Sequence, residues 1–298
     1  MSQSDQRGYM YGVMALTAWG LLPLYWKMLA AVPSTEVIAH RAVWSALFLL
    51  LACSATSSWA ETRRVLADRR KVLALCLTGT LIATNWLVYV WGVAHNHLME
   101  ASLGYFLSPL VSVALGAFFL GEELPPYRRV AVLVAALGVL CKALAAGVFP
   151  WVGISLAITM SLYGFIRKKI QVSSLVGLTL ETCLLSPFAL FYLGGLAVVG
   201  ASSLTLNGAL TTTLLVVTGV ATSCPLLWFV RAGQLLPLST LGILQYLSPT
   251  LQFLLAIIFF GEPLTIASLA SFCLIWVAVV VYLFGDYVTQ AGKQVSRC

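Results

Sequence analysis

A stretch that occurs twice constrains this chain more than any other feature. Leu107-Ser108-Pro109 leads through an apolar run to Phe119, Gly121, Glu122 and Leu124, and Leu247-Ser248-Pro249 leads through another to Phe259, Gly261, Glu262 and Leu264. The offset is 140 residues at each of these positions, and eight of the twenty-one aligned positions in 104–124 and 244–264 are identical. A shared apolar composition would scatter such matches rather than hold a Ser-Pro, a Gly-Glu and the distance between them in register. The chain therefore reads as a tandem repeat, and a repeat fixes architecture before any single element does.

Composition decides what the repeat is made of. Of 298 residues, 60% are hydrophobic and 9% charged, with a mean hydropathy of +0.96, whereas soluble domains carry about 25% charged residues. Apolar runs of about 20 residues, enough to cross ~30 Å of hydrocarbon, recur along the chain. Turn residues and charges at the breaks place spans at 9–28, 35–53, 72–93, 101–121, 127–145, 149–167, 175–197, 210–230, 238–260 and 264–284. The expected fold is an all-α polytopic membrane protein of ten transmembrane helices, arranged as two five-helix repeats over 9–145 and 149–284 with a tail at 285–298. The first run is too long for a signal-peptide core and reads as a retained span. Between the second and third spans, 54–71 is a charged linker with room for a short surface helix.

The net charge of +7 does not point to nucleic acid, because the basic residues sit in short clusters between apolar runs and not on a soluble module. They read as orientation signals. With the N-terminus in the cytoplasm, every Lys and Arg of the 17 except Lys27, Arg41 and Lys142 falls on that side, and the C-terminus follows it there. Five spans is an odd number, so the second repeat enters the membrane upside down relative to the first. Inverted repeats of this kind build the pathways of many secondary transporters, with the substrate site where the halves meet.

Ionisable residues inside spans are costly and hence functional candidates. Arg41 and Glu181 are repeat counterparts, each about six residues into its span. Arg41 suits a substrate carboxylate, and Glu181 a substrate amine or a proton; alternatively, each is a fixed ion-pair partner, Glu181 with Arg167 or Lys168 for instance. Asn85, Trp86 and Tyr89 offer aromatic bodies with hydrogen-bonding tips, as an amphipathic substrate requires. Pro109, Pro187, Pro225 and Pro249 lie inside spans and mark hinges or static bends. Beside them Tyr105 and Ser108 in one repeat, and Gln245, Tyr246 and Ser248 in the other, are expected to face a central cavity, with Gln252 a weaker candidate. The central lining expected from sequence is completed by Trp44 and Tyr163, and Glu181, Glu100 and His40 are the candidate proton carriers. Glu122 and Glu262 close their spans and read as local caps.

His95 and His97 lack further ligands at metal spacing, and the seven cysteines form no CxxC, so no metal, cofactor or disulfide framework is expected. No GxxxxGK[ST] sequence binds ATP, and neither HExxH nor GxSxG marks an enzyme. No ATPase partner is implied. The partners expected are a small-molecule substrate and the lipid bilayer, with monomer and homodimer both open.

Several motifs occur in a recognisable order: His40-Arg41 with Trp44-Ser45; Asn85-Trp86 with Tyr89-Val90-Trp91; and Glu100-Ala101-Ser102-Leu103-Gly104-Tyr105. They continue with Tyr163-Gly164 and Arg167-Lys168, Gly177-Leu178-Thr179 with Glu181-Thr182 and Pro187, Cys224-Pro225-Leu226, and Gly242-Ile243-Leu244-Gln245-Tyr246 with Ser248-Pro249-Thr250. Together they resemble the RarD branch of the EamA-type drug/metabolite transporter superfamily. The resemblance implies a permease of the bacterial inner membrane, exporting or exchanging small organic metabolites or drugs, and not an enzyme. The competing readings are a membrane scaffold or receptor and an intramembrane enzyme. The branch is named for chloramphenicol sensitivity, and that name does not establish a cargo.

Overall fold

The computed structural model describes residues 3–94, 98–146, 151–206, 208–259 and 266–295. His95, His97, Gly261, Glu262 and the side chain of Glu100 lie outside the described residues. Thirteen α-helices follow one another: α1 (Gln3–Met28), α2 (Ser34–Ala55), α3 (Trp59–Ala67), α4 (Arg69–Ala94), α5 (Leu98–Phe119), α6 (Pro126–Ala146), α7 (Trp151–Lys169), α8 (Ser174–Val198), α9 (Ser203–Leu206), α10 (Gly208–Leu235), α11 (Leu238–Leu244), α12 (Leu247–Ile258) and α13 (Ile266–Val295). Each expected span coincides with a helix, the ninth being split into α11 and α12, and the charged linker forms α3. Helix α13 continues past 284 into the expected tail as far as Val295, a stretch that holds no proline to end it.

Among the described residues five segments, Ser34–Ala55, Arg69–Tyr89, Ser174–Val198, Gly208–Leu235 and Leu269–Thr289, are long and apolar enough to cross a bilayer by themselves. The apolar part of α5 is shorter, Gly104–Phe119. The outward faces are as apolar as the interior. Phe118, Phe188 and Phe191 are 84%, 75% and 86% exposed, and such residues recur around the bundle, where a water-soluble monomer keeps contiguous apolar patches to a few hundred Å². That surface belongs in lipid.

The two halves interlock and do not sit side by side. Helix α5 packs on α7, and the counterpart pair, α12 and α1, is also in contact; α1 on α10 is answered by α7 on α4, and α2 on α10 by α8 on α4. The pairs α2 with α8, α5 with α11 and α6 with α13 are their own counterparts. Each half thus completes its packing on the other. The cores reflect this, one gathering Phe106, Val139, Ile243, Phe272 and Tyr282 from α5, α6, α11 and α13, with Tyr246 from between α11 and α12.

The repeated Gly-Glu acquires a role at the end of α5. Gly121 takes φ +64, a left-handed turn that glycine adopts without strain, and the Gly116 carbonyl accepts from both the Leu120 and the Glu122 N–H, closing the end of the helix. Glu122 is thereby aimed across the bundle, where its carboxylate accepts from the Leu238 and Ser239 backbone N–H groups, the latter at 2.8 Å, capping α11. From the other side, Lys168 Nζ donates to the carbonyls of Gly233, at 2.8 Å, and Leu236, closing the end of α10. A negative group at a helix start and a positive group at a helix end both favour the peptide dipoles. This joint holds α10 and α11 at a fixed angle.

Candidate functional site

In the ninth span the backbone leaves the α-helical pattern at Gln245 and Tyr246. Pro249 has no N–H to give the Gln245 carbonyl, which accepts from Ser248 N at 3.3 Å instead. This break, the middle of α5 around Tyr105 and Ser108, and the neighbouring faces of α1, α2, α4, α7 and α10 enclose a cavity of about 200 Å³. It extends from the middle of the bundle toward the end that carries the turn between α1 and α2. Five residue pairs in its wall stand 140 positions apart: Leu16 and Leu156, Ile82 and Thr222, Trp86 and Leu226, Tyr105 and Gln245, Ser108 and Ser248. The cavity lies where the repeats meet.

Arg41 supplies its charge. The guanidinium carbon stands 5.0 Å from the ring centre of Trp26 and 4.6 Å from that of Trp86, and Nε donates to Thr222 Oγ1 at 3.0 Å. Cation–π contacts of this kind give about 2 kcal/mol or more when water is excluded. Tyr89 and Tyr105 stand edge to face beside it, ring centres 6.1 Å apart. The amides are held by the protein: Asn85 Nδ2 donates to the Leu156 carbonyl at 3.0 Å and to Thr159 Oγ1 at 2.9 Å. Gln252 Nε2 donates to the Trp19 carbonyl at 3.2 Å and Ser248 Oγ at 3.4 Å. A buried ladder, Gln245 Nε2 to Ser112 Oγ, Ser112 Oγ to Ser161 Oγ and Ser161 Oγ to the Ser108 carbonyl, ties α11, α5 and α7 together beneath the floor.

Of the residues expected at a central site, Arg41, Asn85, Trp86, Tyr89, Tyr105, Ser108, Gln245 and Ser248 line this cavity together, with Gln252 and Pro249. Trp44, Tyr163, Glu181 and Tyr246 do not. Trp44 Nε1 donates to His40 Nδ1 at 3.3 Å, and the Tyr246 ring is absorbed into the α5–α13 core. Glu181 belongs to a separate buried cluster. It stands 3.6 Å from Arg167 Nε, and it accepts from Thr78 Oγ1 and, at 3.2 Å, from Tyr163 OH. Of the two readings of Glu181, the ion-pair partner is the one with geometry behind it. His40 is buried 3.8 Å from Glu36, whose carboxylate accepts from the Ser203 N–H and hydroxyl at 2.7 Å each. Pro109, Pro187 and Pro225 all fall within helices.

The wall also contains residues that the sequence did not single out: Trp19, Leu22, Pro23 and Trp26 of α1, Ile38 of α2, Met160 of α7 and Thr222 of α10. The α1 set follows the i, i+3, i+4, i+7 spacing of one helix face, and Thr222 is the repeat counterpart of Ile82. Both signals were available.

A bundle of membrane-length helices with a small, singly charged, aromatic-walled cavity between two repeats defines a multi-pass membrane protein with a central cavity. Comparison with known proteins narrows this. The EamA-like transporter family matches residues 6–143. The chain is 38% identical over 292 residues to the protein RarD of Salmonella typhimurium, covering 98% of this chain and 99% of that one. It is 44% identical over 282 residues to an uncharacterized transporter of Pseudomonas aeruginosa, covering 94% of each. To the chloramphenicol-sensitive protein RarD of the same organism it is 32% identical over 280 residues, 92% of this chain and 93% of that one. A solved crystal structure aligns with a TM-score of 0.72 at 19% identity, over 93% of this chain and 97% of the other, which is a likeness of fold alone. The chain belongs to the EamA-like transporter family, in its RarD branch, and is a membrane transporter.

Proposed function

We propose that the protein is a secondary transporter of the bacterial inner membrane, moving small organic metabolites by alternating access between two inverted repeats, 9–145 and 149–284. The observation that carries this reading is the wall of paired positions: a cavity built from counterparts of both halves is the place where rocking one half on the other changes which side is open. The cavity occupies one end of the bundle. At the other end the Arg167–Glu181 cluster and the Lys168 and Glu122 contacts fill the corresponding space. With the N-terminus and C-terminus in the cytoplasm, the open end faces outward.

The cavity's volume, about 200 Å³, is below the ~300–1,000 Å³ usual for drug-sized ligands, which favours metabolites over bulky drugs. Transport runs on a substrate gradient or on protons. Of the proton candidates, Glu181 and His40 are both engaged with charged neighbours, Arg167 and Glu36.

The test is untargeted metabolite profiling of cells with and without the protein, followed by counterflow of the leading hits in proteoliposomes. Saturable counterflow that is lost in Trp86→Ala, with the variant still folded, is the expected result. Absence of flux for every profiled hit would return the chain to the scaffold or receptor reading.

A further inference from the structure

Resting on the transporter reading, we infer that the cavity is a receptor for an organic monoanion, a small carboxylic acid with a flat or branched apolar body. Arg41 is charged at any physiological pH, and among the described residues no Asp or Glu side chain lines the cavity. The described carboxylates nearest in kind are committed elsewhere: Glu36 to Ser203, Glu122 to the start of α11, Glu181 to Arg167. The hydrogen bond to Thr222 uses Nε. The outer edge of the guanidinium, with its paired N–H groups, has no described acceptor, and that edge is the one whose geometry matches two carboxylate oxygens.

A cation held inside a bilayer without a counter-ion is costly, and the two indoles offset part of that cost without neutralising it. The remaining charge is complementary to a single negative group on the occupant. Tyr89 and Tyr105 line the same cavity, and their hydroxyls are further donors. Trp19, Trp26, Trp86, Ile82 and Leu226 supply flat and branched apolar surface. The amide nitrogens of Asn85 and Gln252 are spent on protein acceptors, leaving their oxygens to receive one donor from the occupant. A cation would meet Arg41 at contact distance and be repelled.

The experiment uses matched triplets on the purified full chain: phenylacetate, phenylacetamide and phenethylamine, and 3-methylbutanoate with its amide and amine. Binding is read by quenching of the indole fluorescence of Trp26 and Trp86, and flux by uptake into proteoliposomes. The acid is expected to bind at least about tenfold more tightly than its amide, with the amine weakest. Arg41→Gln should erase the preference for acid over amide while amide binding persists, and Arg41→Lys should weaken acid binding but keep the preference. An amide or amine that binds as well as its acid, a preference that survives Arg41→Gln, or no binding of either acid would each overturn the inference. The two readings separate cleanly. Acid-selective binding without flux removes transport and leaves the receptor, whereas flux of amine or amide unaffected by Arg41→Gln leaves transport and removes the anion.

Discussion

Arg41 and Glu181 occupy equivalent positions in the two repeats, yet their surroundings give them different work. Arg41 faces a cavity and leans on indoles; Glu181 is enclosed by Arg167, Tyr163 and Thr78. Arg167 is 1% exposed and has no hydrogen-bond partner for Nε or Nη1, so its charge depends on the Glu181 carboxylate. Removing one member of such a pair costs about 3–5 kcal/mol because the other is left uncompensated. Glu181→Gln is therefore expected to lower the thermal unfolding midpoint in detergent well beyond Arg41→Gln, and Glu181→Gln combined with Arg167→Met should recover most of the loss. The guanidinium of Arg167 lies where a side chain on Gly177 would project. Gly177→Ala should then destabilise by roughly 1–3 kcal/mol, read in the same melt. The sequence marked both charges as unusual but did not separate them, because burial inside a span looks the same whether the neighbour is a counter-ion or a void. What distinguishes them is Trp26, which the sequence did not single out and whose indole lies against Arg41.

At the scale of elements, proline and glycine were the legible signals and their partners were not. Pro249 foretold a bend, but the outcome is a separation into α11 and α12, with Gln245 and Ser248 of the break delivered to the cavity wall. Pro249→Ala restores a donor for the Gln245 carbonyl and favours one continuous helix. The expected result is unchanged or raised stability with altered transport rate, checked by comparing melting with initial uptake. The Gly-Glu motif was legible as a repeat, and capping was expected of it; that the cap serves the opposite half required the fold. Lys168 gives a further test, read as a lowered unfolding midpoint. Lys168→Met leaves the Gly233 and Leu236 carbonyls without this donor, and a buried group left unpaired costs about 1–3 kcal/mol.

On the scale of the molecule, apolar run length and the breaks between runs led to ten spans, and the described helices are consistent with them. Interlocking was not legible, since which half a helix packs on depends on side-chain surfaces that a shared apolar composition hides. One consequence is that α1–α6 expressed alone leaves α5 without α7, α2 without α8 and α10, and α4 without α7 and α8. Separate expression of either half is expected to yield aggregated or degraded protein, and coexpression to restore a folded complex, read by size exclusion in detergent. Ile38→Cys, in the cavity wall, should react with a membrane-impermeant thiol reagent added from outside, while Thr78→Cys in the sealed end should not. Three of the five paired wall positions differ in chemistry: Tyr105 answers Gln245, Ile82 answers Thr222 and Trp86 answers Leu226. Swapping the halves' conformations would therefore not reproduce the same surroundings, and two such arrangements differ in free energy. In the proposed alternating-access cycle the empty protein accordingly has a resting side, and the first task of the cargo is to lift it out of that preference.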